Sequence, residues 1–123
     1  MKKLLVVDDE KEICDFLKCF FEDRNFEVQT ANTGLDALKV MEKFIPHVVL
    51  LDLQMPGMDG IDTLAVIKRE YPKIKVIMVT AIETQDKIEK AMRLGADNYI
   101  TKPLNLDYLE KDVQEKLNHL AQL

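Results

Sequence analysis

The sequence predicts an α/β domain, a parallel sheet with helices on both faces, built from five strand–helix pairs. Three observations predict it. Strand-like and helix-like stretches alternate strictly along the chain, five times over. The strands are nearly unbroken runs of Leu, Ile and Val, the pattern of strands covered on both faces. The length, 123 residues with 47% apolar, suits one domain with a real core.

Each element has its own signal. Lys3 to Asp9 reads as the first strand. Glu10 to Asp23 reads as a helix, because Ile13, Phe16, Leu17, Phe20 and Phe21 recur at three- and four-residue spacing. Phe26 to Thr30 is a second strand. Thr33 or Asn32 is the expected cap of a helix reaching about Phe44, with Leu35, Leu38 and Met41 inward. Pro46 separates it from the third strand, His47 to Asp52. A loop turning at Pro56–Gly57 leads to a helix over Ile61 to Glu70, with Leu64 and Ile67 inward. Ile74 to Thr80 is strand four. Helix four spans about Thr84 to Leu94, with Gly95 in the C-cap position. Asp97 to Ile100 is strand five, ended by Lys102–Pro103. A last helix starts near Asn105 and carries Leu106, Leu109, Val113, Leu117 and Leu120. No repeat, linker or low-complexity tract interrupts the series, so residues 1–123 read as one domain.

Composition narrows the function classes. A net charge of −5 leaves no electrostatic footprint for nucleic acid. The apolar runs are of strand length, short of a membrane span, and Asp8 and Asp9 interrupt any secretion-signal core. Cys14 and Cys19, five apart on a helix, face different sides and are read as small buried thiols of a reducing cytosol. The expected location is cytoplasmic.

The polar residues then fall in one place. Asp8 and Asp9 end strand one, Asp52 ends strand three, Thr80 ends strand four, and Lys102 follows strand five. All lie at the carboxyl edge of the sheet, where open α/β sheets carry their sites. Three carboxylates on one rim repel unless a cation offsets them. Oxygen ligands alone suit a hard ion, most naturally Mg²⁺. His47 lies at the opposite edge and His119 in the last helix, so zinc lacks its donors. Lys102 and Thr80 add what a phosphoryl group needs, an ammonium and a hydroxyl. Asp52 is the candidate nucleophile, forming an acyl phosphate, and Asp8 and Asp9 are the metal holders. An acidic rim without chemistry is the competing reading.

Two rivals share the fold class. A dinucleotide or flavin site would want a Gly-rich or hydroxyl-rich turn after strand one, and this turn is Asp-Asp-Glu. A phosphohydrolase working through an aspartyl phosphate would want a second Asp two residues after the nucleophile, where Gln54 stands, and a cap insert that is missing.

The motifs VVDDE at 6–10, VVLLDLQMPGMDG at 48–60, VIMVTA at 76–81 and GADNYITKP at 95–103 closely resemble the receiver domain of bacterial two-component response regulators. The resemblance runs over essentially the whole chain. It implies a flavodoxin-like sheet of order 2-1-3-4-5. It makes Asp52 the phosphoacceptor, charged from a phosphohistidine on a sensor histidine kinase or phosphotransfer protein. Asp8 and Asp9 would hold Mg²⁺, Asp9 the more direct ligand, with Asp52 and the backbone carbonyl of Gln54. Lys102 would contact the phosphoryl group, and Thr80 would hydrogen-bond it and move toward it. Tyr99 matches the family's switch aromatic, against the plainer reading of a strand aromatic packed at a helix edge. Pro103 matches the family's cis proline.

The same resemblance implies a conformational output at helix four, strand five and helix five, a face open to a homodimer or a downstream effector. Slow self-dephosphorylation would follow, its lifetime influenced by Gln54 and Ile82. Such a domain catalyses its own phosphorylation and dephosphorylation and is not expected to turn over a separate substrate. Two alternatives stay open: a docking module that is never phosphorylated, and the receiver part of a longer DNA-binding regulator. Gly60 and Gly57 read as relief of turn strain beside Asp52. Met55, Met58 and Met78 read as packing, with Met55 also a candidate partner contact.

Overall fold

A computed structural model describes residues 1–55, 60–81 and 85–121. The expected turn at Pro56–Gly57, Met58, Ile82 and the helix start at Thr84 lie outside the described residues.

Five parallel strands form one sheet in the order β2-β1-β3-β4-β5. They are β1 (Lys2–Val7), β2 (Phe26–Ala31), β3 (Val48–Asp52), β4 (Lys75–Thr80) and β5 (Asn98–Thr101). The helices are α1 (Lys11–Glu22), α2 (Gly34–Met41), α3 (Gly60–Glu70) and α4 (Gln85–Arg93), and then a final helix in three parts. Those parts are α5 (Leu106–Tyr108), a π-helical segment (Leu109–Val113) and α6 (Gln114–Leu120). Observed ends fall within a residue or two of the expected ones, except that α2 stops at Met41.

Two cores form because successive side chains of a strand point to opposite faces. Leu5, Val7, Val49, Leu51, Val76 and Met78 pack against residues of α2, α3 and α4. Leu4, Val6, Leu50, Ile77, Val79 and Ile100 pack against α1 and the final helix. Both faces are covered, which explains why the strands read as continuous apolar runs. Gly95 ends α4 with φ +108, the left-handed conformation expected of its C-cap role. Thr33, and not Asn32, caps α2, its side-chain oxygen accepting from the Asp36 amide.

Several helix faces differ from the sequence expectation. In α1 the buried stripe is Cys14, Leu17, Phe20 and Phe21, while Phe16 is exposed on its flank. In α2 small residues, Gly34 and Ala37, meet the core with Met41, and Leu35 is 61% exposed. Leu106 is exposed, and Leu109, Val113, Leu117 and Ala121 make the final helix's buried row. Cys14 is buried as expected, but Cys19 is exposed. Size misled the reading: an apolar spacing that fits two adjacent stripes does not say which one the sheet covers. His47 is half-buried at the far edge, its Nδ1 accepting from the Lys3 amide at 2.9 Å. Among the described residues no helix is long and apolar enough to cross a membrane.

Candidate functional site

Strand register assembles the site. Val7 pairs with Leu51, so Asp8 and Asp52 emerge side by side from β1 and β3. Asp52 pairs with Val79, which sets Thr80 one step further out on β4. Thr80 pairs with Thr101, and the Lys102 amide donates to the Thr80 carbonyl at 2.8 Å, holding Lys102 at the same rim. The side chains then converge. Lys102 Nζ lies 3.4 Å from Asp52 Oδ2 and 3.5 Å from Asp8 Oδ2. Asp8 and Asp52 are buried, whereas Asp9 is exposed.

Each buried carboxylate has its other oxygen tied to the backbone of its own loop. The Glu10 amide donates to Asp8 Oδ1 at 2.9 Å, and the Gln54 amide donates to Asp52 Oδ1 at 3.1 Å. Even so, both carboxyls are held above the usual carboxylate range. Burial is the main cause for each; Asp52 further raises Asp8, and Asp9 further raises Asp52, against the pull of Lys102 and the amides. Burial works against the Lys102 ammonium, but the charges of Asp52 and Asp8 outweigh it and raise its pKa. Burial therefore weighs more on the rim carboxyls than the one lysine relieves.

The donor set fits a hard divalent cation. Carboxylate oxygens of Asp8, Asp9 and Glu10 lie within 4.8 Å of one another, and no other such group occurs among the described residues. Glu10 was not expected in this cluster. The sequence reads it as an acid of the helix's first turn. It stands instead at the N-cap, in extended conformation, with no side-chain cap bond. Its position directly after Asp8-Asp9 was the available signal.

Gly60 supports the site differently from its expected role. Its φ is not positive, so no turn strain is relieved there. A Cβ at Gly60 would sit 2.3 Å from the Asp52 carbonyl oxygen and 2.7 Å from Leu53 Cα. The start of α3 thus packs directly on the backbone that presents Asp52. Thr80 is buried, its hydroxyl donating to the Ala81 carbonyl at 3.1 Å, and Tyr99 is 38% exposed on β5. The Lys102–Pro103 bond is cis, in line with the resemblance. Met55 and Met78 are buried packing residues. Two residues the sequence reading did not place here also touch Asp8. Cys14 Sγ and Asn32 Nδ2 both donate to its carbonyl, at 3.4 and 3.0 Å. Burial, then the Asp8 charge, pushes the Cys14 thiol up to about 11, so it stays protonated as a donor. Neither had a signal in sequence, because both contacts run to a main-chain oxygen and not to a side chain.

The family model of the response regulator receiver domain matches residues 4–114. The chain belongs to that family. It is 40% identical over 108 residues to the chemotaxis protein CheY of Listeria monocytogenes, covering 87% of this chain and 91% of that one. It is 44% identical over 115 residues to protein-glutamate methylesterase/protein-glutamine glutaminase 2 of Rhodopseudomonas palustris, covering 91% of this chain and 31% of that one. The CheY-like receiver domain protein of Methanospirillum hungatei superposes with a TM-score of 0.87 at 32% identity, over 98% of this chain and 96% of that one. Against three of its curated relatives the chain spans only a quarter to a third of their length.

Proposed function

We propose that residues 1–123 are one receiver domain acting as a phosphoacceptor switch, with Asp52 the residue phosphorylated. The observation that carries this is the convergence of Lys102 Nζ on two buried carboxylates, Asp52 and Asp8, beside the exposed carboxylates of Asp9 and Glu10. The donor is a phosphohistidine on a sensor histidine kinase or phosphotransfer protein.

Mg²⁺ would be held by Asp8, Asp9, Asp52 and the Gln54 carbonyl, and when bound it supplies positive charge to offset phosphoryl oxygens. An Asp52 carboxylate oxygen forms the new P–O bond as the donor's P–N bond breaks, the electron pair staying on the imidazole nitrogen. The Gln54 amide fixes the other Asp52 oxygen, so one oxygen is presented for attack. Lys102, shared between Asp8 and Asp52 beforehand, follows the charge onto the phosphoryl group. An apolar recess of about 450 Å³, lined by Ile13, Phe16, Pro103 and Leu104 and flanked by Lys102, gives the donor protein a seat beside the site.

Thr80 then turns its hydroxyl from the Ala81 carbonyl to the phosphoryl group, and Tyr99 moves inward. This favours a state the domain already visits, and reshapes the surface of α4, β5 and the final helix for a second copy or an effector. Slow hydrolysis, with water attacking in line, resets the switch.

The test is intact mass after incubation with acetyl phosphate and Mg²⁺. A single phosphoryl adduct that disappears in Asp52→Asn is expected. No adduct from acetyl phosphate or any phosphohistidine donor would leave the domain a docking module.

A further inference from the structure

Asp8 leaves β1 at the point where the sheet's ladder stops. Its amide is still paired, donating to the Ala31 carbonyl at 3.1 Å. Its carbonyl points past the ladder, and Asn32 Nδ2 meets it at 3.0 Å, with Cys14 Sγ at 3.4 Å. Asn32 lies in the β2–α2 loop and is exposed, so no apolar packing accounts for its orientation. The neighbouring Thr33 serves the helix, capping α2, while Asn32 reaches back to β1.

The geometry points to Asn32 as a positioning residue for the metal-binding turn: its amide holds the Asp8 carbonyl and thereby sets how Asp8 and Asp9 face the rim. The Asp8 carbonyl and the Asp9 N–H belong to one rigid peptide plane. Fixing that oxygen fixes the plane, and with it the directions in which both carboxylates leave the chain. The second Asn32 N–H lies toward Cys14 Sγ at 3.6 Å, so the amide bridges the two other groups at this corner. Partners of this outer kind orient ligands without touching the metal. The inference rests on the proposed Mg²⁺ site, which the wild-type measurement tests separately.

The experiment compares Mg²⁺ dissociation constants by calorimetry and Mg²⁺-free melting temperatures for wild type, Asn32→Ala and Thr33→Ala. Thr33→Ala is the control from the same loop: it removes the α2 cap and leaves the Asp8 carbonyl alone. Asn32→Ala should weaken Mg²⁺ binding roughly tenfold, the low end for such partners, with little loss of melting temperature. Thr33→Ala should lower the melting temperature and leave Mg²⁺ affinity at the wild-type value. In acetyl phosphate reactions, Asn32→Ala should need more Mg²⁺ for half-maximal rate yet reach the wild-type rate at saturation. Asn32→Ala binding Mg²⁺ as wild type does would overturn the inference alone. So would equal weakening by Thr33→Ala, which would make the loop's integrity the cause. Wild type that takes up no Mg²⁺ would overturn the inference together with the proposed site.

Discussion

At the residue scale the rim is a place where charge opposes stability. Asp8 and Asp52 have pKa values raised above 3.8, chiefly by burial, so the folded state binds their protons more tightly than the unfolded chain. Stability of the metal-free protein therefore falls as pH rises from 3.8 through the raised values. The Lys102 contribution has the opposite range: it is complete below 10.5 and is lost as pH rises through its raised value. Asp52→Asn should accordingly be more stable than wild type at neutral pH in chelator. Melts across a pH series should show the difference shrinking as pH falls toward 3.8. A mutant less stable than wild type at neutral pH would mean that Lys102 already offsets the burial cost. Gly60→Ala makes a separate point, since its methyl would collide with the Asp52 carbonyl. It should cost about 1–3 kcal/mol in denaturant unfolding. It should also slow phosphorylation by displacing the acceptor's backbone. Wild-type stability in that mutant would show that α3 gives way freely.

At the element scale the final helix is the instructive case. Leu109, Val113, Leu117 and Ala121 are buried at four-residue intervals. An α-helix has 3.6 residues per turn, so such a row drifts by about 40° per step. The wider π turn at Leu109–Val113 takes up that drift and keeps the row on the sheet. Leu109→Ala should therefore cost about 2–5 kcal/mol. Leu106→Ala, at an exposed position, should stay within about 0.5 kcal/mol of wild type. Urea midpoints decide it, and equal losses at both would place Leu106 in the core after all. The order and type of the elements were legible in the sequence, because period and length carry them. Which of two adjacent stripes is buried was not. Phe16 and Leu35 are large and apolar yet exposed, because the sheet lies against Cys14 and Leu17 on α1, and against Gly34 and Ala37 on α2.

At the scale of the whole molecule, strand register brings Asp8, Asp52 and Lys102 to one rim, and a bound cation would offset the repulsion between the carboxylates. Mg²⁺ at one hundred times its dissociation constant should add about 2.7 kcal/mol of stability. Chelator should reverse the gain, and Asp9→Asn should abolish most of it in thermal melts. A melting temperature indifferent to Mg²⁺ would argue against a folded-state site.

The residues of that rim, Asp8, Asp9, Asp52, Thr80 and Lys102, could be named from the sequence, because each ends or directly follows a strand and all parallel strands end at the same edge. The sequence alone likewise determined the strand–helix alternation and the two-faced sheet, since continuous apolar runs suit only strands covered on both sides. Tertiary structure decided what depends on contacts between distant segments. It set the Gly60 backbone against Asp52 and turned the Asn32 amide onto the Asp8 carbonyl. Neither has a periodic or compositional signature: each is a fit between one side chain or one missing Cβ and a peptide group elsewhere, which exists only after the strands have paired.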